Sequence, residues 1–235
     1  MNFHIITIFP EMFNSYLKES IVGRAIKDKK ISIKFHNPLD FCLPRHGRGG
    51  PRERVDDRPY GGGPGMVLRP ELFLKAFEQA AKNFSQVLGK NPQTVRKTSR
   101  SLLKVKIIIF STSGKKFTTD YAKKSAKKYT DIVLISGRYE GIDARVGKIL
   151  KAEEISVGDY VLTGGELPAM IMIDSISRQI QGVLGKYESL EEERVSTSEV
   201  YTRPEVLKYR GKNYRVPKVL LSGHRAKIEE WKKRK

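Results

Sequence analysis

Cysteine is all but missing from this chain of 235 residues, in which Cys42 stands alone. A single thiol excludes an internal disulfide framework. One cysteine and four scattered histidines also offer no spacing from which to argue a zinc site, so no metal ligand is assigned. Long apolar runs are missing too: no stretch approaches the length of a membrane-spanning helix, and no membrane role is expected. Residues 1 to 10 have no basic stretch ahead of their short apolar run and read as a first strand, not as a signal peptide; with the lone cysteine this points to the cytoplasm. Neither a G-x-G-x-x-G turn after a strand nor a P-loop pattern is present, which disfavours a dinucleotide or P-loop nucleotide site.

Acidic residues are scarce beside basic ones, 26 against 45, leaving a net charge of +19. A surplus of that size predicts a polyanionic partner, and its distribution sharpens the case. Residues 82 to 128 carry 13 Lys/Arg against one acid, Asp120, and residues 203 to 235 carry 12 against three. The rest of the chain is close to neutral. Two concentrated tracts suit a phosphate backbone better than general solubility does. No long basic helix with a bulky apolar face stands out for a membrane surface.

The pattern along the chain alternates strand and helix. A β-rich run covers 3 to 9, apolar residues near helical spacing cover 11 to 27, and 31 to 35 alternates again. An amphipathic helix is expected over 70 to 82 and an irregular basic excursion over 83 to 101. Short continuous apolar runs at 105 to 110 and 132 to 136 read as strands buried on both faces, with a helix between them that Thr118 or Thr119 caps. A further strand falls at 153 to 157, and a helix over 167 to 180 carries Pro168 in its first turn. These elements predict an α/β domain over 1–185 with a largely parallel sheet, an interdomain linker over 186–200, and a short basic helical region over 201–235.

Two loops break from ordinary turn composition. One is Glu-Glu-Ile-Ser-Val-Gly-Asp-Tyr-Val-Leu-Thr-Gly-Gly-Glu-Leu-Pro at 153 to 168; the other is Ser-Gly-Arg-Tyr-Glu-Gly-Ile-Asp at 136 to 143. Gly164 and Gly165 allow close backbone approach, and Ile155, Val157, Val161 and Leu162 supply an apolar wall beside them. A tight strand-to-helix turn explains one such loop; two together suit a flat, partly apolar ligand held by main-chain groups. A third block, Val-Asp-Asp-Arg-Pro-Tyr-Gly-Gly-Gly-Pro-Gly-Met at 55 to 66, joins Tyr-Thr-Arg-Pro-Glu-Val at 201 to 206, Ile-Phe-Pro-Glu-Met-Phe at 8 to 13, Gly-Val-Leu-Gly at 182 to 185 and Leu-Ser-Gly-His at 221 to 224.

On these blocks the chain resembles the bacterial tRNA (guanine-37-N1)-methyltransferases of the knotted SPOUT superfamily over roughly its whole length. The resemblance implies a deep trefoil knot, an exception to the rule that chains do not thread their own loops. It implies S-adenosylmethionine as cofactor, held by Phe110, Ser111, Gly137, Tyr139, Glu140, Ser156, Val157, Gly158, Asp159, Tyr160, Val161, Leu162, Gly164, Gly165 and Pro168. It implies a guanine held by Asp56, Asp57, Arg58, Tyr60, Gly63, Pro64 and Gly65, a tRNA anticodon stem-loop as partner, a homodimer with its active site at the subunit interface, and Mg2+ as an aid to turnover. Where the family has Ser-Pro-Gln-Gly-Arg, this chain has Ser111-Thr112-Ser113-Gly114-Lys115.

Methylating guanine N1 requires a base, because N1 is protonated at neutral pH, and a cation for the charge that grows on O6. Arg178 matches the family arginine for the second role. Glu193 falls where the family places an aspartate for the first, with Glu192 the next candidate and a solvated acidic stretch the bland alternative. Asp174 reads as a helix-packing residue. The glutamate, and a family that commonly continues beyond the Ser-Gly-His motif, keep two other readings open: an RNA-binding SPOUT protein impaired in catalysis, and a SPOUT methyltransferase of ribosomal RNA.

Overall fold

Alternation in the first strand sends Phe3 and Ile5 to one face and His4 and Ile6 to the other, and all four are buried. A strand buried on both faces needs a layer of helices on each side. The structure, a computed structural model, describes residues 1–43, 53–85, 104–184 and 199–233. The chain divides into two compact units, Met1–Val183 and Leu184–Lys235. In order, the first holds β1 (Asn2–Ile6), a 3-10 turn (Pro10–Phe13), α1 (Asn14–Leu17), α2 (Ser20–Lys27), β2 (Ser32–His36), a second 3-10 turn (Pro38–Phe41), β3 (Asp56–Asp57), β4 (Val67–Leu68) and α3 (Pro70–Ser85). It continues with β5 (Val105–Lys116), α4 (Thr119–Lys128), β6 (Asp131–Ile135), α5 (Ala144–Leu150), β7 (Glu153–Ser156) and α6 (Glu166–Ser177).

The main sheet runs β2-β1-β6-β5-β7 with every pairing parallel, as the buried apolar runs predicted. On one face Phe3, Ile5, Ile108, Ile132 and Leu134 pack with Phe13, Leu17, Val22 and Ala25 and with Ala169, Met172, Ile173 and Ile176 of α6. On the other, Ile6, Val133 and Ile135 pack with Phe73, Ala76, Ala80 and Phe84 of α3 and Val146 of α5. The single helix expected over 11 to 27 is broken between α1 and α2. Phase explains the break: from Phe13 and Leu17 a continuous helix would bring residues 20, 21 and 24 inward, whereas a reset at Lys18 and Glu19 turns Val22 and Ala25 into the same core.

β5 also departs from expectation, running past 110 to Lys116. Ile155 of β7 pairs with both Phe110 and Lys115, so residues 111 to 114 loop out of the ladder before the strand rejoins it. Thr118 caps α4 by accepting from the Tyr121 N–H, as predicted. No helix among the described residues is long and apolar enough to cross a membrane.

The second unit contains β8 (Val206–Tyr209), β9 (Lys212–Arg215), α7 (Lys218–Leu221) and α8 (Arg225–Lys233). The region expected to be helical therefore also holds an antiparallel hairpin. Its two-residue turn takes positive φ at Arg210 (47°) and Gly211 (74°), the backbone that matches the twist of hairpin strands, and the Arg-Gly pair was the signal that helical reading passed over. The expected linker over 186–200 and the excursion over 83–101 fall mostly outside the described residues.

A chain of polar side chains crosses the α3-facing layer. His4 Nδ1 lies 3.3 Å from His36 Nε2, His4 Nε2 lies 3.3 Å from Asp131 Oδ1, and His36 Nδ1 lies 3.2 Å from Gln79 Oε1. Burial is the main cause holding His36 below its ordinary value of 6.5. Burial works against the Asp131 carboxylate, but bonds from His4, Asn2 and Thr130 outweigh it and hold that group below its usual range. The unfolded chain therefore binds more protons than the folded one once the pH falls below about 6.5, and stability drops there. Asp131 adds a second loss at lower pH, as the pH falls through its depressed folded value. Urea unfolding followed between about pH 7.5 and pH 5.5 should show declining stability, and His36→Gln should flatten that decline. An equally steep decline in the variant would assign the sensitivity to another group.

Candidate functional site

Because β5, β6 and β7 are adjacent and parallel, their carboxyl ends open on the same side of the sheet, where open α/β sheets place ligands. The loops that leave those ends are the ones whose composition stood out. Together they line a cavity of about 520 Å³. Of the fifteen residues expected to hold the cofactor, fourteen line it: Phe110, Ser111, Gly137, Tyr139, Glu140, Ser156, Val157, Gly158, Tyr160, Val161, Leu162, Gly164, Gly165 and Pro168. Asp159 does not; its carboxylate pairs with Lys116 at 2.6 Å on the surface.

The loops after β6 and β7 are stitched together by main chain. Gly165 N–H donates to the Gly137 carbonyl (2.9 Å), the Ser136 hydroxyl donates to the Gly165 carbonyl (3.1 Å), and Arg138 bridges antiparallel to Gly164. A Cβ at Gly165 would lie 2.7 Å from Ser136 Cα, so glycine is required there by contact with backbone, not by its own dihedral angles.

The next residue anchors the arrangement. Glu166 is fully buried in the first turn of α6, with Arg138 Nε 2.9 Å from one carboxylate oxygen and the Thr7 hydroxyl donating to the other at 2.8 Å. The Arg138 guanidinium also lies over the Phe9 ring, 5.1 Å from its centroid. One carboxylate thereby ties the loop after β6 and the turn after β1 to the start of α6, where negative charge is favoured by the helix.

The third block docks against the same rim. The Glu140 N–H donates to the Met66 carbonyl (3.0 Å), Leu68 N–H to Gly141 (2.9 Å) and Asp143 N–H to Leu68 (3.1 Å). Asp143 caps α5, and the Arg145 guanidinium bound to it holds its carboxyl below the usual carboxylate range. Gly65 sits against the Glu140 side chain. Within this block Asp56 is buried and bonded to Arg54 at 3.0 Å, so its carboxylate is already engaged. Asp57 is exposed and accepts from the Arg58 N–H at 2.8 Å; Arg58, Gly63 and Pro64 are exposed, and Tyr60 wholly so.

Arg178 caps the carboxyl end of α6 and is not among the cavity residues. Glu192 and Glu193 lie outside the described residues. Beside the cavity is a second depression of about 560 Å³, lined by Met12, Ser15, Tyr16, Leu167, Met170, Ile171 and Asp174 and sharing Tyr160 and Leu162 with the first. Burial, then the neighbouring Asp174, push the Tyr16 phenol up. Sequence reasoning did not single out Thr7, Arg138 or Glu166 as a unit. Glu166 and Arg138 stood inside the quoted loops, but nothing in the spacing paired them with Thr7.

A parallel α/β domain with a cleft built from main chain and apolar side chains, and without a phosphate-binding turn, defines a small-molecule-binding enzyme domain of the open-sheet kind. The family model described as tRNA (Guanine-1)-methyltransferase TrmD matches residues 1–235. A tRNA (guanine-N(1)-)-methyltransferase of Clostridioides difficile is 41% identical over 99% of this chain and 91% of its own length. That of Desulforamulus reducens is 40% identical over 100% of this chain and 83% of its own. The crystal structure of tRNA (m1G37) methyltransferase from Aquifex aeolicus matches with a TM-score of 0.72 at 36% identity, covering 99% of this chain and 87% of that one. The chain belongs to the tRNA (guanine-1)-methyltransferase family.

Replacing Glu166 by Gln would leave the largely buried Arg138 without its counter-charge. The expected loss of unfolding free energy is about 3 kcal/mol. Thr7→Val, which removes one hydrogen bond to the same carboxylate, should cost about 1 kcal/mol. Denaturant titration of both variants checks the order; equal small losses would mean the clamp contributes little.

Proposed function

We propose that this chain transfers the methyl group of S-adenosylmethionine to N1 of guanosine-37, next to the tRNA anticodon. The observation that carries the reading is the union of three loops around one cavity, with the 55 to 66 block bonded to its rim, in a chain that matches the family from end to end. The cavity suits the cofactor by size, falling within the roughly 300–1,000 Å³ of small-molecule clefts. It suits it by chemistry too. Leu162, Pro168, Ile109 and Ile155 offer an apolar slot for a flat base, and the acidic residues Glu140 and Glu154 in the lining, beside an Arg138 already paired with Glu166, suit a molecule with cationic sulfonium and ammonium centres. When bound, S-adenosylmethionine supplies an electrophilic methyl group.

The chain's own residues do the rest. Gly137, Gly164 and Gly165 present main chain to the ligand's edge, while Asp57, Arg58 and Tyr60, standing clear of the surface, receive the target guanine and its neighbour. A single-stranded loop is a fitting target because its bases can splay out and be read on their edges. Glu193 accepts the N1 proton and Arg178 stabilises negative charge on O6 as the methyl arrives.

Family membership supports the same reading of the fold, with the chain through 110 to 168 threaded as a deep trefoil knot. It supports a cytoplasmic homodimer in which the carboxylate comes from the subunit opposite the cofactor, and Mg2+ as an aid to turnover. The apolar depression that shares Tyr160 and Leu162 with the cavity fits a second copy of this chain as its occupant.

Calorimetry should show S-adenosylmethionine binding without tRNA, and Gly165→Val should abolish it. Arg178→Ala and Glu193→Gln should each lower turnover on tRNA by about 100-fold or more while leaving cofactor affinity intact. A heterodimer of the two variants should keep one working site. Cofactor binding by wild type without methyl transfer to tRNA would replace this reading with that of an impaired RNA binder; full activity of Glu193→Gln would remove Glu193 as the base.

A further inference from the structure

Between Lys104 and Tyr129 the chain carries eight lysines and one acid, Asp120. Three of them sit over the rings of two tyrosines, Tyr121 and Tyr129. Lys115 Nζ lies 5.8 Å from the centre of the Tyr121 ring, Lys106 Nζ 5.9 Å from that of Tyr129, and Lys128 Nζ 5.5 Å from the same Tyr129 ring. The Tyr121 hydroxyl donates to Glu153 at 2.8 Å, and Glu153 also pairs with Lys106, which joins the two aromatic stations into one row. At one end Lys116 pairs with Asp159 of the loop whose neighbours line the cavity, so the row begins at the cavity rim.

α4 extends the row. Lys124, Lys127 and Lys128 are exposed, and Lys123 is half-buried beside them. Lys123 and Lys127, and Lys124 and Lys128, stand at i and i+4, where like charges weaken a helix. Lys127 and Lys128 are in the last turn and recover some of that through the helix dipole; Lys123 and Lys124 are not. Within the helix Asp120 is the only acid, and local helix stability does not account for the arrangement.

We propose that α4 and the adjoining β5–β7 edge form a phosphate-binding strip that holds the tRNA backbone outside the cavity. The proposal rests on the methyltransferase reading above and names a surface which that reading does not need. An RNA strand with one nucleotide at the cavity would continue onto Lys116 and Lys115, then along α4. The helix is about 15 Å long, roughly four nucleotides of a stacked strand. A tyrosine-lined row of ammonium groups grips a backbone without reading bases, so the strip contributes affinity and register and leaves the choice of guanosine to the 55 to 66 block at the cavity rim.

The test uses full-length protein with Lys123, Lys124, Lys127 and Lys128 all changed to Gln, a residue of similar helix propensity. Binding of a tRNA with guanosine 3′ of the anticodon is measured over a range of salt, beside cofactor calorimetry and methylation kinetics. If each lysine meets one phosphate, the slope of log K against log salt should flatten by about 3, and KM for tRNA should rise about tenfold or more. Cofactor affinity should not move, and kcat should stay within about twofold, because no group at the reacting atoms has changed.

An unchanged salt slope in a variant with wild-type circular dichroism overturns the strip. So does an unchanged slope accompanied by lost binding to vesicles of anionic phospholipid, which would assign the lysines to a membrane. Should the quadruple variant lose its fold, Lys123→Gln with Lys124→Gln, outside the last turn, carries the test with about half the change in slope. Failure of wild type to methylate tRNA would sink the functional reading alone, since the salt slope is read from binding.

Discussion

Where α6 begins, its main chain lies against Ser136 and Gly137 so closely that a single methyl group would not fit, and the next side chain is a fully buried carboxylate bound to Arg138 and Thr7. Two short-range forces meet at that point. Steric contact sets how near the helix can come to the end of β6, and the carboxylate pulls the loop after β6 and the turn after β1 toward the helix start. The shape of the cavity follows from the resulting position of 137–141 relative to 162–168. The rim that receives the 55 to 66 block follows as well, because Glu140 and Gly141 are the groups to which that block is bonded.

Charge is partitioned over the first unit in a way that bulk composition conceals. The cavity is lined by two acidic residues, Glu140 and Glu154, and by Arg138, which pairs with the buried Glu166, among apolar and hydroxyl side chains and glycine backbone. The lysines stand outside it, along α4 and the sheet edge. The buried titratable chain of His4, His36 and Asp131 lies in the α3-facing layer, and none of its members lines the cavity. The charges thus fall in separate places: Glu140, Glu154 and Arg138 at the cavity, exposed lysines along α4, and the buried His36 and Asp131, whose lowered values make stability fall as the pH falls.

Much of the fold was legible in the chain itself. The apolar runs at 105–110 and 132–136 became neighbouring parallel strands as expected, although in the first only Ile108 is fully buried, and Thr118 caps its helix as its residue type implies. Fourteen of fifteen cofactor candidates line one cavity, because their loops follow three neighbouring strands. Where the reading slipped, a local rule had been outvoted. The run over 11–27 has helical composition throughout, yet the core demanded a change of phase in its middle. The tail has helical segments, yet Arg210 and Gly211 turned eight of its residues into a hairpin.

The amino-acid sequence alone determined the apolar strands and most helices of the α/β domain, the surplus of positive charge and the three glycine-rich blocks, since each shows in patterns within a few residues or in plain composition. Tertiary structure decided which of those blocks meet, that Glu166 pairs with Arg138 and Thr7, and that lysines from β5 and α4 share tyrosines in one row. Thr7 and Glu166 are 159 positions apart, and a contact across such a distance leaves no periodicity to read. It exists only because β1 and β6 are paired in the sheet and α6 is pressed against the end of β6.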